Sequence, residues 1–170
     1  MYLNDSWNVS EEGFPVQGGP QEKLRFVLNY AVIAPSGHDT QPWLFRLNDD
    51  KVEMYADRTR GLAVVDPEDR ALVISCGAVL FYLRMALRHF GHVGEVETFP
   101  DPEDPDLLAR VRLGREHEAT EEEQRLFQVI PKRHSNRQAF ENLQVPGRLL
   151  SALQAAAWKE GAWLHLAEEA

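Results

Sequence analysis

Apolar residues return every three or four positions in four stretches of the chain, a spacing typical of amphipathic helices. The clearest stretch begins at Gln21 and ends before Pro35, whose ring cannot continue a helix. Its apolar stripe consists of Leu24, Val27, Leu28, Ala31 and Val32. The same spacing predicts further helices at 68–90, 120–129 and 147–160.

The longest predicted helix, 68–90, is apolar on two faces. One face carries Leu72, Cys76, Val79, Leu80, Leu83, Leu87 and Phe90. The other face carries Ile74, Ala78, Phe81 and Met85. Because both faces must be covered, we expect this helix inside the domain or at an interface with another copy. For Cys76, this position favours core packing over reactivity.

The two shorter helices carry their own boundary signals. Thr120 and Glu123 have the spacing of a capping box, which predicts a helix start at that point. Gly161 is placed to end the last helix. The stripe predicted to face inward from that helix consists of Leu149, Leu150, Leu153, Ala156 and Ala157.

Strict alternation of apolar and polar residues marks the strands. Segments 43–47 and 52–54 alternate on either side of Asn48-Asp49-Asp50, which predicts a β-hairpin. Alternation also predicts strands near 96–99, 109–113 and 162–166. Helices and hairpin-type strands in this order predict an α+β fold with an antiparallel or mixed sheet. Residues 1–20 show no sustained period and are interpreted as an irregular arm, packing through Trp7 and Phe14.

Composition narrows the function classes. The 170 residues are 44% hydrophobic and 26% charged, as expected of a globular domain. The net charge of −9 disfavours general nucleic-acid binding. No apolar run approaches the ~20 residues of a membrane span, and the N-terminus lacks a signal-peptide pattern. A single cysteine fits a reducing cytoplasm.

The segment from Ala34 to Trp43 is predicted to be a rigid polar loop. It lies between a helix, whose apolar residues repeat every three or four positions, and a strand, whose apolar and polar residues alternate. Two prolines bracket Ser36 and Gly37, and such a loop offers short polar groups and backbone N–H donors. Such a loop is typical either of a ligand-binding surface or of a simple connection between two elements.

The densest basic cluster of the chain comprises Arg133, His134, Ser135 and Arg137. Two guanidinium groups, an imidazole and a hydroxyl within five positions suit a phosphate monoester, which needs fixed cations and donors. A solvated charged loop is the alternative reading. A metal site at His89 and His92 is disfavoured, since these residues lie at a helix end and a glycine-rich turn.

Together these two segments resemble the nitroreductase superfamily. The sequence Ala-Pro-Ser-Gly-His-Asp-Thr-Gln-Pro-Trp at 34–43 resembles its flavin-contacting loop, and Lys-Arg-His-Ser-Asn-Arg-Gln-Ala-Phe at 132–140 resembles its phosphate-gripping segment. Their order here resembles the Acg-like branch, in which two nitroreductase units are fused. The resemblance divides the chain into an arm at 1–20, a first repeat at 21–130 and an incomplete second repeat at 131–170.

The resemblance implies an FMN-dependent oxidoreductase that reduces nitroaromatics, quinones or similar acceptors by ping-pong hydride transfer, with NAD(P)H as the candidate donor. It places Pro35, Ser36 and Gly37 against the isoalloxazine ring, and Gln41 matches the same loop motif. It places Arg133, Ser135 and Arg137 on the ribityl and phosphate groups, with His134 beside them. No side chain is assigned as a catalytic acid or base, because the flavin carries this chemistry.

The sequence is also compatible with two other hypotheses. The chain could bind FMN without turnover, as a flavin-sequestering protein. It could also be a truncated packing module that binds no flavin, with the two-faced helix at 68–90 serving self-association or pairing with a second nitroreductase repeat.

Overall fold

The computed structural model describes residues 8–167, which form two compact units. The first unit ends at Ser135 and the second begins at Asn136. The repeat boundary expected after residue 130 stays a prediction. Trp7, the predicted anchor of the N-terminal arm, lies outside the described residues.

The first unit contains three α-helices and four strands in its described part. The helices are α1 (Pro20–Ala31), α2 (Arg70–His89) and α3 (Glu121–Val129). The strands are β1 (Trp43–Asn48), β2 (Lys51–Ala56), β3 (His92–Thr98) and β4 (Leu107–Glu116). The α+β prediction, including its long helix, is confirmed.

The four strands form one antiparallel sheet in the order β1-β2-β4-β3. Inward residues such as Val52, Met54 and Val111 are at most 2% exposed and join the core beneath the helices. On the opposite face, paired positions form one row of alternating charge across the sheet. That row consists of Arg46, Glu53, Arg110 and Glu97.

Helix α2 crosses the core, with contacts to α1, α3 and the sheet. The first predicted stripe is confirmed, since Leu72, Val79 and Leu87 are at most 4% exposed. The second stripe is only partly covered, because Met85 is buried whereas Ile74 is 63% exposed. Part of this helix face therefore remains open in the described chain.

By length and composition alone, α2 is also long and apolar enough to cross a membrane. This corrects the expectation that no apolar stretch approaches that length. The core helix of a soluble protein passes the same test, and α2 has nine buried residues. Packing inside the unit therefore gives a sufficient physical reason for its apolar composition.

An aromatic cluster joins the N-terminal arm to the ends of α1 and α2. Phe14 stacks on Phe90 with ring centroids 4.5 Å apart, which confirms the predicted packing of the arm through Phe14. Tyr30 approaches Phe127 of α3 at 4.8 Å, and its hydroxyl donates to the Val9 carbonyl. Burial, followed by the nearby carboxylate of Glu11, raises the pKa of Tyr30 to about 12.

The second unit contains α4 (Gly147–Lys159). Gly161 follows with a φ of 73°, which confirms its predicted role at the helix end. The predicted inward stripe is wrong for the described unit, because Leu149 and Leu153 are 48% and 47% exposed. The predicted strand at 162–166 is also wrong, since the structure has no regular element there. A strand needs a neighbouring strand to pair with, and α4 is the regular element in the described part of this unit.

Candidate functional site

The loop between α1 and β1 is held in an unusual backbone conformation by its own side chains. His38, Asp39 and Gln41 have φ values of 52°, 57° and 47°, in the left-handed region that L-residues seldom adopt. Ser36 Oγ accepts a hydrogen bond from Gln41 N at 2.9 Å, and Thr40 Oγ1 donates to the Gly37 carbonyl at 3.0 Å. These bonds bring Ser36, Gly37 and Gln41 together as one compact turn.

Three contacts fasten this loop to the rest of the unit. Gly37 N donates to Ser75 Oγ of α2 at 3.2 Å, and the Cys76 thiol donates to the Pro42 carbonyl at 3.3 Å. Arg60 Nη1 donates to the Thr40 carbonyl at 3.2 Å. Two neighbouring residues of α2 therefore hold the two ends of the loop.

Cys76 has a structural role in this arrangement. It is 1% exposed, and burial raises its thiol pKa to about 12. A thiol with such a pKa is neutral near pH 7 and is a poor nucleophile. The prediction of core packing for Cys76 is confirmed.

The outer surface of the loop is open. Pro35, Ser36 and Gly37 are half-buried and Gln41 is exposed. Apart from the two adjoining residues, no heavy atom of the described chain lies within 4 Å of the position that a Cβ on Gly37 would take. A flat ligand could therefore approach the backbone at this point without displacing a described neighbour.

The basic segment begins on a well-anchored helix end. Helix α3 is tied to α2 by Glu123, whose carboxylate accepts from Arg88 at 2.6 Å, from His117 at 2.8 Å and from Thr120 N at 2.9 Å. Burial alone would raise the pKa of Glu123, but these hydrogen bonds outweigh it and lower that pKa to about 2. The predicted capping box between Thr120 and Glu123 is confirmed.

After α3, a short 3-10 turn at Ile130–Lys132 leads into the basic residues. Arg133 N donates to the Val129 carbonyl at 2.9 Å, and Arg133 Nη1 donates to Ser135 Oγ at 3.2 Å. The structure thus brings Arg133 and Ser135 together. Arg133 Nε is buried and has no hydrogen-bond partner among residues 8–167.

The other two predicted phosphate-binding residues are exposed. His134 follows Arg133 in the first unit, whereas Arg137 lies just inside the second unit. In that second unit, Gln138 N donates to Asn136 Oδ1 at 3.0 Å. Each of these two side chains is therefore accessible in its own unit.

The loop and the start of the basic segment are anchored at opposite ends of α2. The loop is bonded to Ser75, whereas the ring of Phe127 on α3 stacks on His89 at 3.7 Å. Ser75 and His89 are separated by about four helical turns, roughly 20 Å along the axis. Within the described part of the chain, no hydrogen bond or ion pair joins Arg133 or Ser135 to the loop.

Two residues that position the loop were not among the predicted site residues. Arg60 lies in a 3-10 turn after β2, and Ser75 lies on α2 between its apolar stripes. A polar side chain that interrupts an apolar helix surface was the available signal for Ser75. Its partner is 38 positions away, which periodicity does not indicate.

The two candidate metal-binding histidines have other partners. His89 Nε2 lies 2.8 Å from a carboxylate oxygen of Glu11, and His92 Nε2 lies 3.3 Å from Lys23 Nζ. Among the described residues, no three His, Cys, Asp or Glu side chains are grouped so as to hold a metal ion.

No family model matches the chain, but several curated proteins are similar to it. It is 34% identical over 144 residues to "Putative NAD(P)H nitroreductase Rv3131" of Mycobacterium tuberculosis, covering 85% of this chain and 42% of that protein. It is 32% identical over 117 residues to "Putative NAD(P)H nitroreductase acg" of the same species, covering 69% of this chain and 35% of that protein. A match of 32% identity over 74 residues to "Probable NAD(P)H nitroreductase PigM" of Serratia covers 42% of this chain and 21% of that protein.

The chain thus spans less than half the length of the relatives that it matches. Those relatives include Acg. The chain is therefore a homologue of proteins of the nitroreductase superfamily, with Acg among its relatives.

Proposed function

We propose that this chain is the FMN-binding part of a nitroreductase-type oxidoreductase that reduces nitroaromatics, quinones or similar acceptors. The observation that carries the proposal is that the chain contains both a fixed, open loop at 35–37 and a basic segment in which Arg133 Nε is buried without a described partner. The names of the relatives point to the same chemistry and suggest NAD(P)H as the electron donor.

The loop fits the flat face of a flavin ring. Its backbone is fixed by Ser36 Oγ and by Ser75, and the space beside Gly37 is open. In the proposed site, Pro35, Ser36 and Gly37 contact the isoalloxazine ring, and Gln41 keeps the turn closed through its own N–H. These residues orient the ring and exclude water from one side of it.

The basic segment fits the phosphate group of FMN. Arg133 has a buried Nε without a described partner, and its Nη1 already lies near Ser135 Oγ. A phosphate oxygen bound there would satisfy the orphaned donor by a charge-assisted hydrogen bond. Arg137 and His134 are assigned to the same group from the sequence motif.

When bound, FMN supplies a two-electron carrier that accepts a hydride and passes it to the acceptor. The opposite anchoring of the loop and the basic segment on α2 favours a site in which the two segments come from different copies of this chain or from different repeats of a longer protein. The loop of one copy or repeat would then contact the flavin whose phosphate is bound by the basic segment of another.

The test is the absorbance spectrum of purified protein after addition of FMN and desalting. We expect a retained flavin band that is lost in Arg133→Ala and Arg137→Ala. Arg125→Ala and Arg148→Ala are matched controls, since both side chains are exposed on neighbouring helices, and they should retain the band. A colourless wild-type protein, or equal loss in the controls, would overturn the assignment.

Anaerobic addition of NADH or NADPH then separates an enzyme from a flavin store. Bleaching of the bound band, followed by its recovery with a quinone, is the expected result for the proposed oxidoreductase. A band that neither nucleotide bleaches would favour the flavin-sequestering alternative.

A further inference from the structure

Ser75 is a buried hydroxyl of α2 whose hydrogen bonds lead directly to the candidate flavin loop. The residue is 6% exposed. Its Oγ donates to the Ala71 carbonyl at 2.7 Å and accepts from Gly37 N at 3.2 Å. The hydroxyl therefore links one helical turn of α2 to one backbone amide of the loop.

The direction of these two bonds fixes what Ser75 can do. A helical serine commonly donates to the carbonyl four residues earlier, and this bond fixes the orientation of its hydroxyl. Because the proton is used in that way, the lone pairs of Oγ remain available for the Gly37 amide. Without this acceptor, the half-buried Gly37 amide would have to find another partner or stay unpaired.

The loop needs such an external restraint. The residues that follow Gly37 are His38 and Asp39, with φ values of 52° and 57°. Side-chain-bearing residues persist in this region only where their surroundings enforce it. The bond from Gly37 to Ser75 is the contact with α2 that lies next to these two residues in the chain.

We propose that Ser75 is a positioning residue of the flavin site, holding the Gly37 amide so that the open face of the loop is presented to the ring. The role of Ser75 in flavin binding rests on the proposed function, but its restraint of the Gly37 amide can be measured without any cofactor. Ser75 acts through the loop and does not contact the ligand.

The test compares Ser75→Thr with Ser75→Val in the 170-residue chain. Threonine and valine have the same shape, so the pair differs by the hydroxyl and cancels the effect of the added methyl group. Ser151→Ala, an exposed serine on α4, is the control for removal of a hydroxyl from a helix. Three quantities are measured: hydrogen exchange of the Gly37 amide by NMR, the Kd for FMN, and the visible spectrum of the bound flavin.

We expect Gly37 exchange to be about tenfold faster in Ser75→Val than in Ser75→Thr, and FMN binding to be about tenfold weaker. The absorbance maximum of bound flavin should shift in Ser75→Val and stay near the wild-type position in Ser75→Thr. A merely structural role would not shift this spectrum in one variant of an isosteric pair.

Equal Gly37 exchange in the two variants would overturn the restraint. Faster exchange with an unchanged Kd and spectrum would overturn its role in the flavin site. If the wild-type chain binds no FMN, the proposed function fails, and the exchange comparison still decides whether Ser75 positions the loop.

Discussion

Glu123 joins α3 to α2 and so supports the helix end from which the basic segment begins. Glu123 is 8% exposed, and its carboxylate accepts hydrogen bonds from Arg88, His117 and Thr120 N. Glu123→Gln keeps the size of the side chain but removes the charge and places an N–H₂ group among donors. We expect this substitution to destabilise the fold and loosen α3.

The size of the effect follows from the burial of the two partners. The Arg88 side chain is 34% exposed, so the pair lies between a surface ion pair and a fully buried one. Exposed pairs contribute roughly 0–1 kcal/mol, whereas breaking a buried pair costs roughly 3–5 kcal/mol. We therefore expect Glu123→Gln to lower the free energy of unfolding by about 2 kcal/mol at pH 7.

The pH dependence of this stabilisation follows from the pKa of Glu123. This pKa is lowered from 4.5 to about 2 in the folded chain, so the unfolded state binds the proton more tightly. The stabilisation is present above pH 4.5 and is lost as the pH falls towards 2. The stability difference between wild type and Glu123→Gln should therefore shrink over this interval.

Urea denaturation followed by circular dichroism measures both quantities. Glu121→Gln is a matched control, since Glu121 lies on the same helix and pairs with Arg125 at 2.9 Å with both side chains largely exposed. It should cost less than about 0.5 kcal/mol. Equal losses for the two variants, or a stability difference that persists unchanged in acid, would show that Glu123 does not join α3 to α2 through its charge.

Three further predictions concern other parts of the first unit. Cys76 should react with a thiol reagent only after unfolding, because it is buried and its pKa is about 12, and rapid labelling of the native protein would contradict this. Gly114→Ala should lower the urea midpoint of unfolding, because its Cβ would lie 2.6 Å from the Val93 carbonyl oxygen. Gly77→Ala on α2 should raise the free energy of unfolding by about 0.5–1 kcal/mol, because apart from its chain neighbours and the surrounding helix backbone no described atom lies within 4 Å of its Cβ, and similar urea midpoints for the two variants would contradict this contrast. Glu53→Gln should lower the free energy of unfolding by about 1–2 kcal/mol at pH 7, and this loss should diminish in acid. The reason is that burial raises the pKa of Glu53, but its arginine and lysine partners lower that pKa by more than burial raises it. A constant stability difference in denaturation curves over a pH series would count against this.

Local sequence patterns were sufficient to predict most helices and strands of the first unit. The stripe of α1, the hairpin of β1 and β2, and the capping box at Thr120 depend on residues within a few positions of each other. Such patterns can be seen directly in a sequence. The predicted helix at 68–90 was likewise found at Arg70–His89, since its apolar residues repeat over five turns.

Features that depend on contacts between residues far apart in the chain could not be predicted from the sequence. The capping box identified Glu123 as a local feature, but its bond to Arg88 spans 35 positions. The alternation at 162–166 matches a strand, but a strand also needs a neighbouring backbone, which the described second unit does not provide. The exposed stripe of α4 has the same cause, because periodicity reports an apolar face and not its partner.

The same distinction between local patterns and long-range contacts applies to the candidate site. The motif predicts Pro35, Ser36 and Gly37 as site residues, but it does not indicate that Ser75 accepts a hydrogen bond from the Gly37 amide. It also predicts Arg133 and Ser135, but not that Arg133 Nε is buried without a described partner. The sequence therefore predicts which two segments form the candidate site, and the structure shows how each segment is held.

The most direct test of the central claim is a fluorescence titration of the chain with FMN and with riboflavin, which lacks the phosphate. We expect wild-type protein to bind FMN at least tenfold more tightly than riboflavin, and Arg133→Ala to remove most of this difference. Arg125→Ala should leave the difference unchanged. Equal affinity of the wild type for the two flavins, or an unaltered preference in Arg133→Ala, would contradict the assignment of the basic segment to the phosphate.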